Sequence, residues 1–177
     1  MGGSSDLPRP GFDRWVSFRG QGTYRDPVIN YDGSRRKVPG YVSDILTDEA
    51  ERFINDNTGR PFLLYLGHKA VHDEFIPAER HKNLYASDPV PIARSMADTE
   101  ENYRGRPDWV RRIRGSIIGV DGMYNHRTTF EPFYRDYCRT LMGIDESIGR
   151  VMAALSAKGL LEETLVVYMS DNGFLMG

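Results

Sequence analysis

The sequence has a single cysteine, Cys138. That excludes an intrachain disulfide and a multi-cysteine zinc site, and leaves a small apolar residue or a lone thiol. Charge of one sign is also lacking, since 23 Lys and Arg stand against 25 Asp and Glu for a formal net charge of −2. The surplus that draws proteins onto nucleic acid or acidic membranes is missing, so no nucleic-acid partner is expected. No apolar run approaches the roughly 20 residues of a membrane span, and Met1 to Pro10 carries no apolar signal core. A membrane span is therefore not expected. What is present is 177 residues of 40% hydrophobic composition, enough for one domain with its own core.

The stretch up to Gly40 is rich in Gly, Pro and Asp and lacks a helical period, which predicts loop with at most one short strand. From Tyr41 to Asn57 the residues Val42, Ile45, Leu46, Ala50, Phe53 and Ile54 recur three or four apart and predict an amphipathic helix. Gly59 and Pro61 stop it. The run Phe62 to Leu66 is continuous, apolar and too short for an ordinary helix, so a strand buried on both faces is expected. Residues 77–122 read as irregular, with a short helical piece near Ala78 to Leu84. Their basic stretch, Arg104 to Arg114, is diluted by Asp98, Glu100, Glu101 and Asp108 and reads as a solvated charged surface.

A second and longer helix is predicted where Phe130, Phe133, Tyr134, Tyr137, Leu141, Ile144, Ile148, Val151 and Leu155 hold the same spacing. Pro132 suits its first turn, and Gly159 suits the position just past its end. The apolar run Leu165 to Met169 then reads as another strand. Strand, helix and strand in succession predict an α/β fold with a parallel sheet.

Ligands of open α/β sheets gather at the carboxyl ends of the strands, and both apolar runs end in polar clusters. The first continues into Gly67-His68-Lys69-Ala70-Val71-His72. A lysine brings a compact positive charge, and a histidine can donate a hydrogen bond to an anionic oxygen or a proton to a leaving group. The second continues into Ser170-Asp171-Asn172-Gly173, a carboxylate and an amide oxygen suited to Ca²⁺ or Mg²⁺. Asp-Asn-Gly is equally ordinary turn chemistry, and a loop histidine is equally a structural residue. Together the two clusters describe a metal-assisted site for an oxyanion ester. His81 and His126 lack that placement and read as structural.

At these residues the sequence resembles the sulfatases of the alkaline phosphatase superfamily. Pro61 to Leu66 running into Lys69-Ala70-Val71-His72 is similar to the family's apolar strand and sulfate-contacting histidine. Tyr134 to Gly149 is similar to its long helix, and Gly159-Leu160-Leu161, Thr164 to Val167 and Ser170 to Gly173 follow in the family's order. The resemblance implies an alkaline phosphatase-like sandwich whose mostly parallel central sheet is flanked by helices. It implies attack on sulfur by a formylglycine hydrate, with a divalent cation, calcium or alternatively magnesium, and basic side chains stabilising the sulfate charge. On this chain it implies Asp171 and Asn172 as metal ligands, His72 as the catalytic residue and sulfate contact, and Lys69 as a substrate-binding residue. His68 is left without a role. The implied substrate is a sulfated small molecule or glycan, and the implied compartment is periplasmic, secreted or lysosomal.

The family's Cys/Ser-x-Pro/Ala-x-Arg signature, the source of formylglycine, does not occur in these 177 residues. Cys138 lies inside the predicted long helix and is not that nucleophile. Residues 1–177 are accordingly expected to be part of an N-terminal catalytic domain, truncated at both ends. Two alternatives stay open: a phosphoester or phosphonate hydrolase of the same superfamily, and a non-catalytic chain that binds anionic glycans through its basic segment. Asn172 leans against the first, because related phosphodiesterases more often carry Asp-His-Gly at this turn. The sequence predicts that the 177 residues alone turn over no sulfate ester. Metal-dependent turnover with several cycles per chain, abolished by Asp171→Ala, would overturn that expectation.

Overall fold

The structure, a computed structural model, describes residues 5–56, 59–117, 119–123, 128–173 and 176. Before residue 40 the chain forms an antiparallel three-stranded sheet in the order β1 (Val16–Ser17), β2 (Val28–Tyr31), β3 (Ser34–Lys37). This corrects the expectation of at most one strand there. The overlooked signal is Asp32-Gly33, whose φ angles of 50° and 102° form the two-residue turn that matches the twist of a hairpin. Tyr31 pairs with Ser34 across it, and the Gly33 N–H donates to the Asn30 side chain at 2.8 Å. Arg35 of β3 forms an ion pair with buried Asp6 and so ties the leading segment to the sheet.

Helix α1 (Val42–Asp56) forms where the periodicity predicts it, and Val42, Ile45, Leu46, Ala50 and Ile54 are its buried face. After two short helices, α2 (Glu100–Tyr103) and α3 (Trp109–Arg112), the long helix α4 runs from Phe130 to Ala157. Its end is closed as the glycine predicts. The Leu160 N–H donates to the Leu155 carbonyl and the Gly159 N–H to the Ser156 carbonyl, both at 2.9 Å, while Gly159 takes φ 66°. A side chain at that angle would be strained, which is why glycine follows so many helices.

The two long helices pack on each other through a seam that is polar at its centre. The hydroxyls of Thr47 and Ser147, both buried, lie 2.6 Å apart, and Thr47 also donates to the Ser43 carbonyl at 2.6 Å. Outside that seam Arg150 of α4 reaches Asp48 and Glu51 of α1. Arg80, in the 3-10 turn Glu79–His81, bridges Asp44 of α1 and Glu146 of α4. Such exposed pairs contribute little individually, but each fixes the relative register of its elements. Further along, Arg111 pairs with Asp98 and Glu100, and Arg114 with Asp121, as expected of a solvated charged surface.

The two apolar runs depart from expectation. Phe62, Leu64 and Leu66 are half-buried, whereas Leu63 and Tyr65 are 81% and 69% exposed. Phe62 packs edge-on against Phe53 of α1, and Leu66 lies on the cluster of Tyr24, Tyr41, Val42, Leu46 and Ala78. From Leu165 to Met169 exposure runs from 46% to 89%. Burial on both faces needs paired neighbours on each side and cover above and below. Among the described residues neither run has such a partner, and the strand pairs there are antiparallel.

Because Ile54 is wholly buried between α1 and its neighbours, Ile54→Ala should destabilise the fold by about 2–4 kcal/mol. Glu162→Ala, at an exposed site, should stay within about 0.5 kcal/mol. Urea unfolding midpoints measure both, and equal midpoints would refute this packing.

Candidate active site

The geometry of the first polar cluster begins with one backbone hydrogen bond. The His72 N–H donates to the Lys69 carbonyl at 2.9 Å, which brings these two residues onto a single turn directly beyond Leu66. Lys69 is buried, at 8% exposure, and its Nζ sits 4.6 Å from the centroid of the Tyr24 ring. Burial lowers the pKa of the ammonium, while the nearby carboxylates of Asp73 and Glu74 pull it back up. An ammonium on a ring face is attracted by the ring quadrupole, and this accounts for a cation tolerated so far from water.

The same ring's hydroxyl donates to the His72 carbonyl at 2.6 Å. Tyr24 is stacked on Tyr41, with centroids 5.9 Å apart and planes at 19°. The Tyr41 hydroxyl in turn donates to the Ile76 carbonyl at 3.0 Å. Two stacked phenols therefore tether residues 72 and 76, in the middle and toward the end of the loop that follows Leu66. Burial raises the pKa of both, that of Tyr41 to about 12, so each remains a donor at neutral pH. Sequence reading missed both tyrosines as site residues, because nothing in Thr23-Tyr24 or Gly40-Tyr41 marks a side chain whose partner lies about 35 to 50 positions away.

The His72 ring is exposed, with Nδ1 2.8 Å from the Asp73 carbonyl. A carbonyl only accepts, so Nδ1 carries the proton and Nε2 is the nitrogen left for a ligand. His68, left without a role from sequence, is an anchor. Its Nε2 lies 3.0 Å from the Ser147 hydroxyl, which joins the residue just before Lys69 to the α1–α4 seam. Its Nδ1 is buried with no hydrogen-bond partner among the described residues, and desolvation lowers its pKa to about 4. The ring is neutral at physiological pH.

The second cluster is an exposed turn closed on itself. The Asn172 N–H donates to Asp171 Oδ1 at 2.8 Å, and the Ser170 hydroxyl donates to the Asn172 carbonyl at 2.5 Å. Among the described residues the other Asp171 oxygen and the Asn172 amide oxygen have no hydrogen-bond partner, and both are hard donors that fit Ca²⁺ or Mg²⁺. Two such oxygens do not make a metal site by themselves, and among the described residues no group of three or more His, Cys, Asp or Glu stands close enough to hold a metal. No hydrogen bond or ion pair among the described residues links this turn to Lys69 or His72.

Of the remaining histidines, His81 is buried with Nε2 2.8 Å from Glu146 and is structural, and His126 lies outside the described residues. Cys138 is half-buried in α4 with its thiol pKa raised by burial. No described helix is long and apolar enough to cross a membrane.

The family model described as Sulfatase matches residues 3–177. The chain belongs to the sulfatase family. This sulfatase chain is 27% identical to an N-acetylglucosamine-6-O-sulfatase of Bacteroides thetaiotaomicron, over 94% of the chain and 40% of that protein. It is 28% identical to an arylsulfatase of Volvox carteri, over 87% of the chain and 26% of that protein. It thus spans well under half the length of either relative. Its fold resembles that of a protein solved in complex with its substrate D-glucosamine-2-N,6-O-disulfate, with a TM-score of 0.66 at 23% identity, over 87% of the chain and 42% of that structure.

The anchoring by His68 has a sign-defined consequence. Its folded pKa, about 4, lies below the ordinary 6.5, so between these values the unfolded chain binds more protons. Stability is therefore full above pH 6.5, falls as pH drops toward 4 and levels off below it, the change being on the order of 3 kcal/mol. In His68→Gln, which keeps a donor for Ser147, this part of the pH dependence should vanish. Unfolding free energies at stepwise pH values measure it, and an unchanged profile would refute the assignment.

Proposed function

We propose that this chain carries the anion-binding side, and part of the metal-binding side, of an enzyme that hydrolyses sulfate esters. The observation that carries the reading is the sulfatase match running the length of residues 3–177, through both polar clusters. Its support in geometry is the turn in which the His72 N–H meets the Lys69 carbonyl, with the lysine buried and the histidine exposed. A sulfate ester offers three anionic or carbonyl-like oxygens, which need donors held in place before the reaction, and Lys69 and His72 are such donors.

In this reading Lys69 supplies a fixed positive charge to one sulfate oxygen. His72, whose Nδ1 proton is committed to the Asp73 carbonyl, offers Nε2. Only the doubly protonated ring can donate from that atom, so His72 binds the sulfate or protonates the leaving alcohol as an imidazolium. Asp171 and Asn172 contribute oxygen ligands to a divalent cation, calcium before magnesium, which would withdraw charge from the sulfate oxygens. The nucleophile is assigned to a Cys/Ser-x-Pro/Ala-x-Arg segment, which these 177 residues do not contain. The exposed runs at 62–66 and 165–169 are read as members of the family's parallel sheet. A sulfated glucosamine is the proposed substrate class. It is favoured by the relative named N-acetylglucosamine-6-O-sulfatase and by the disulfated glucosamine bound in the structural neighbour.

In the intact protein, His72→Ala should lower kcat on a 6-O-sulfated glucosamine by about 10²–10⁴-fold, while stability changes by no more than about 0.5 kcal/mol because the ring is exposed. Asp171→Ala should raise the calcium concentration needed for half-maximal activity and lower the rate together. Full activity in both variants would reject the reading.

A further inference from the structure

We infer that Tyr24 is the residue that positions the anion-binding turn, holding the Lys69 charge and the His72 backbone in one geometry. The inference rests on the reading of Lys69 and His72 as sulfate contacts and adds a residue to it from a distant part of the chain. Three observations meet on one side chain. The Tyr24 ring carries the Lys69 ammonium 4.6 Å from its centroid, its hydroxyl donates to the His72 carbonyl at 2.6 Å, and the ring stacks on that of Tyr41. Tyr24 itself is 2% exposed, so neither contact is made by a mobile surface group.

A lysine side chain has four rotatable bonds, and immobilising it on binding an anion costs affinity unless it is ordered beforehand. The Tyr24 ring does that ordering without consuming a donor, because a cation over a π face keeps its N–H groups for other acceptors. The hydroxyl serves the second residue. By taking the His72 carbonyl it fixes the backbone of the turn, and with it the Cα from which the imidazole projects. Tyr24 touches no reacting atom in this arrangement, so it is a positioning residue.

The two functions of the side chain separate by substitution. Tyr24→Phe keeps the ring under Lys69 and removes only the hydroxyl, and Tyr24→Leu removes both. In the intact protein, NMR should find the Lys69 ε-methylene protons shifted upfield by the ring in the wild type and in Tyr24→Phe, and at ordinary positions in Tyr24→Leu. Titration with inorganic sulfate should show binding about threefold weaker in Tyr24→Phe, the effect of one hydrogen bond, and about tenfold weaker or more in Tyr24→Leu as ordering of the lysine is lost as well. Tyr24→Phe preserves the packing, so it remains informative if the leucine variant fails to fold. An ordinary Lys69 shift in the wild type overturns the inference. So does wild-type sulfate affinity in both Tyr24 variants when Lys69→Ala binds weakly, and that pattern leaves the proposed function standing. Wild-type affinity in Lys69→Ala and His72→Ala alike removes the proposed function, and this inference with it.

Discussion

Two hydroxyls 2.6 Å apart at the centre of the α1–α4 contact set the position of most of what surrounds them. Thr47 and Ser147 are both buried, and a buried hydroxyl without a partner costs about 1–3 kcal/mol, so the pair favours the register in which the two groups face each other. Apolar side chains alone would tolerate a slide of one helix along the other. The polar pair does not, and Ser147 extends the constraint to His68 on the loop that leaves the first apolar run. From there it is one residue to Lys69.

The loop is thus held from two sides by different chemistry. A neutral imidazole ties its beginning to the helices, and two stacked phenols tie its middle and end to the segments that precede and open α1. Between these ties the chain needs no regular secondary structure to present a lysine and a histidine in fixed relation. The buried charge is the costly element of the arrangement. Its cost is offset by a ring face and by the acidic neighbours Asp73 and Glu74, whose influence opposes the desolvation of the ammonium.

Local and periodic features of the fold were legible in the sequence. The buried face of α1 and the extent of α4 followed from apolar spacing, and the end of α4 from Gly159, because a helix determines its own hydrogen bonds within a few residues; the buried face of α4 did not, since Leu141 and Ile148 are exposed while Thr140, Gly143 and Ser147 are buried. The hairpin is equally local, but its signal is the turn chemistry of Asp32-Gly33 alone, inside a stretch whose Gly, Pro and Asp content points to loop. The apolar runs illustrate the opposite limit. Composition shows that Leu63 and Val166 favour a strand, but whether a strand is buried depends on partners that composition cannot supply, and among the described residues those partners are absent. In the candidate site, Lys69 and His72 were found from their place after an apolar run. Tyr24, Tyr41 and Ser147 were not, because tertiary contacts over about 35 to 80 positions leave no spacing to read.

One glycine shows how far the constraint reaches. Gly143 lies in α4 where a Cβ would come within 3.3 Å of the Tyr41 ring, so the absence of a side chain there is what lets that ring lie against the helix. Tyr41 backs Tyr24, and Tyr24 backs the ammonium of Lys69. Position 143 and the Lys69 charge are thereby joined by a chain of contacts through two rings. A single added methyl at this buried helix position, remote in sequence from both polar clusters, would press on a ring that is stacked on the partner of Lys69, and its first effect would be felt in packing rather than at a polar group.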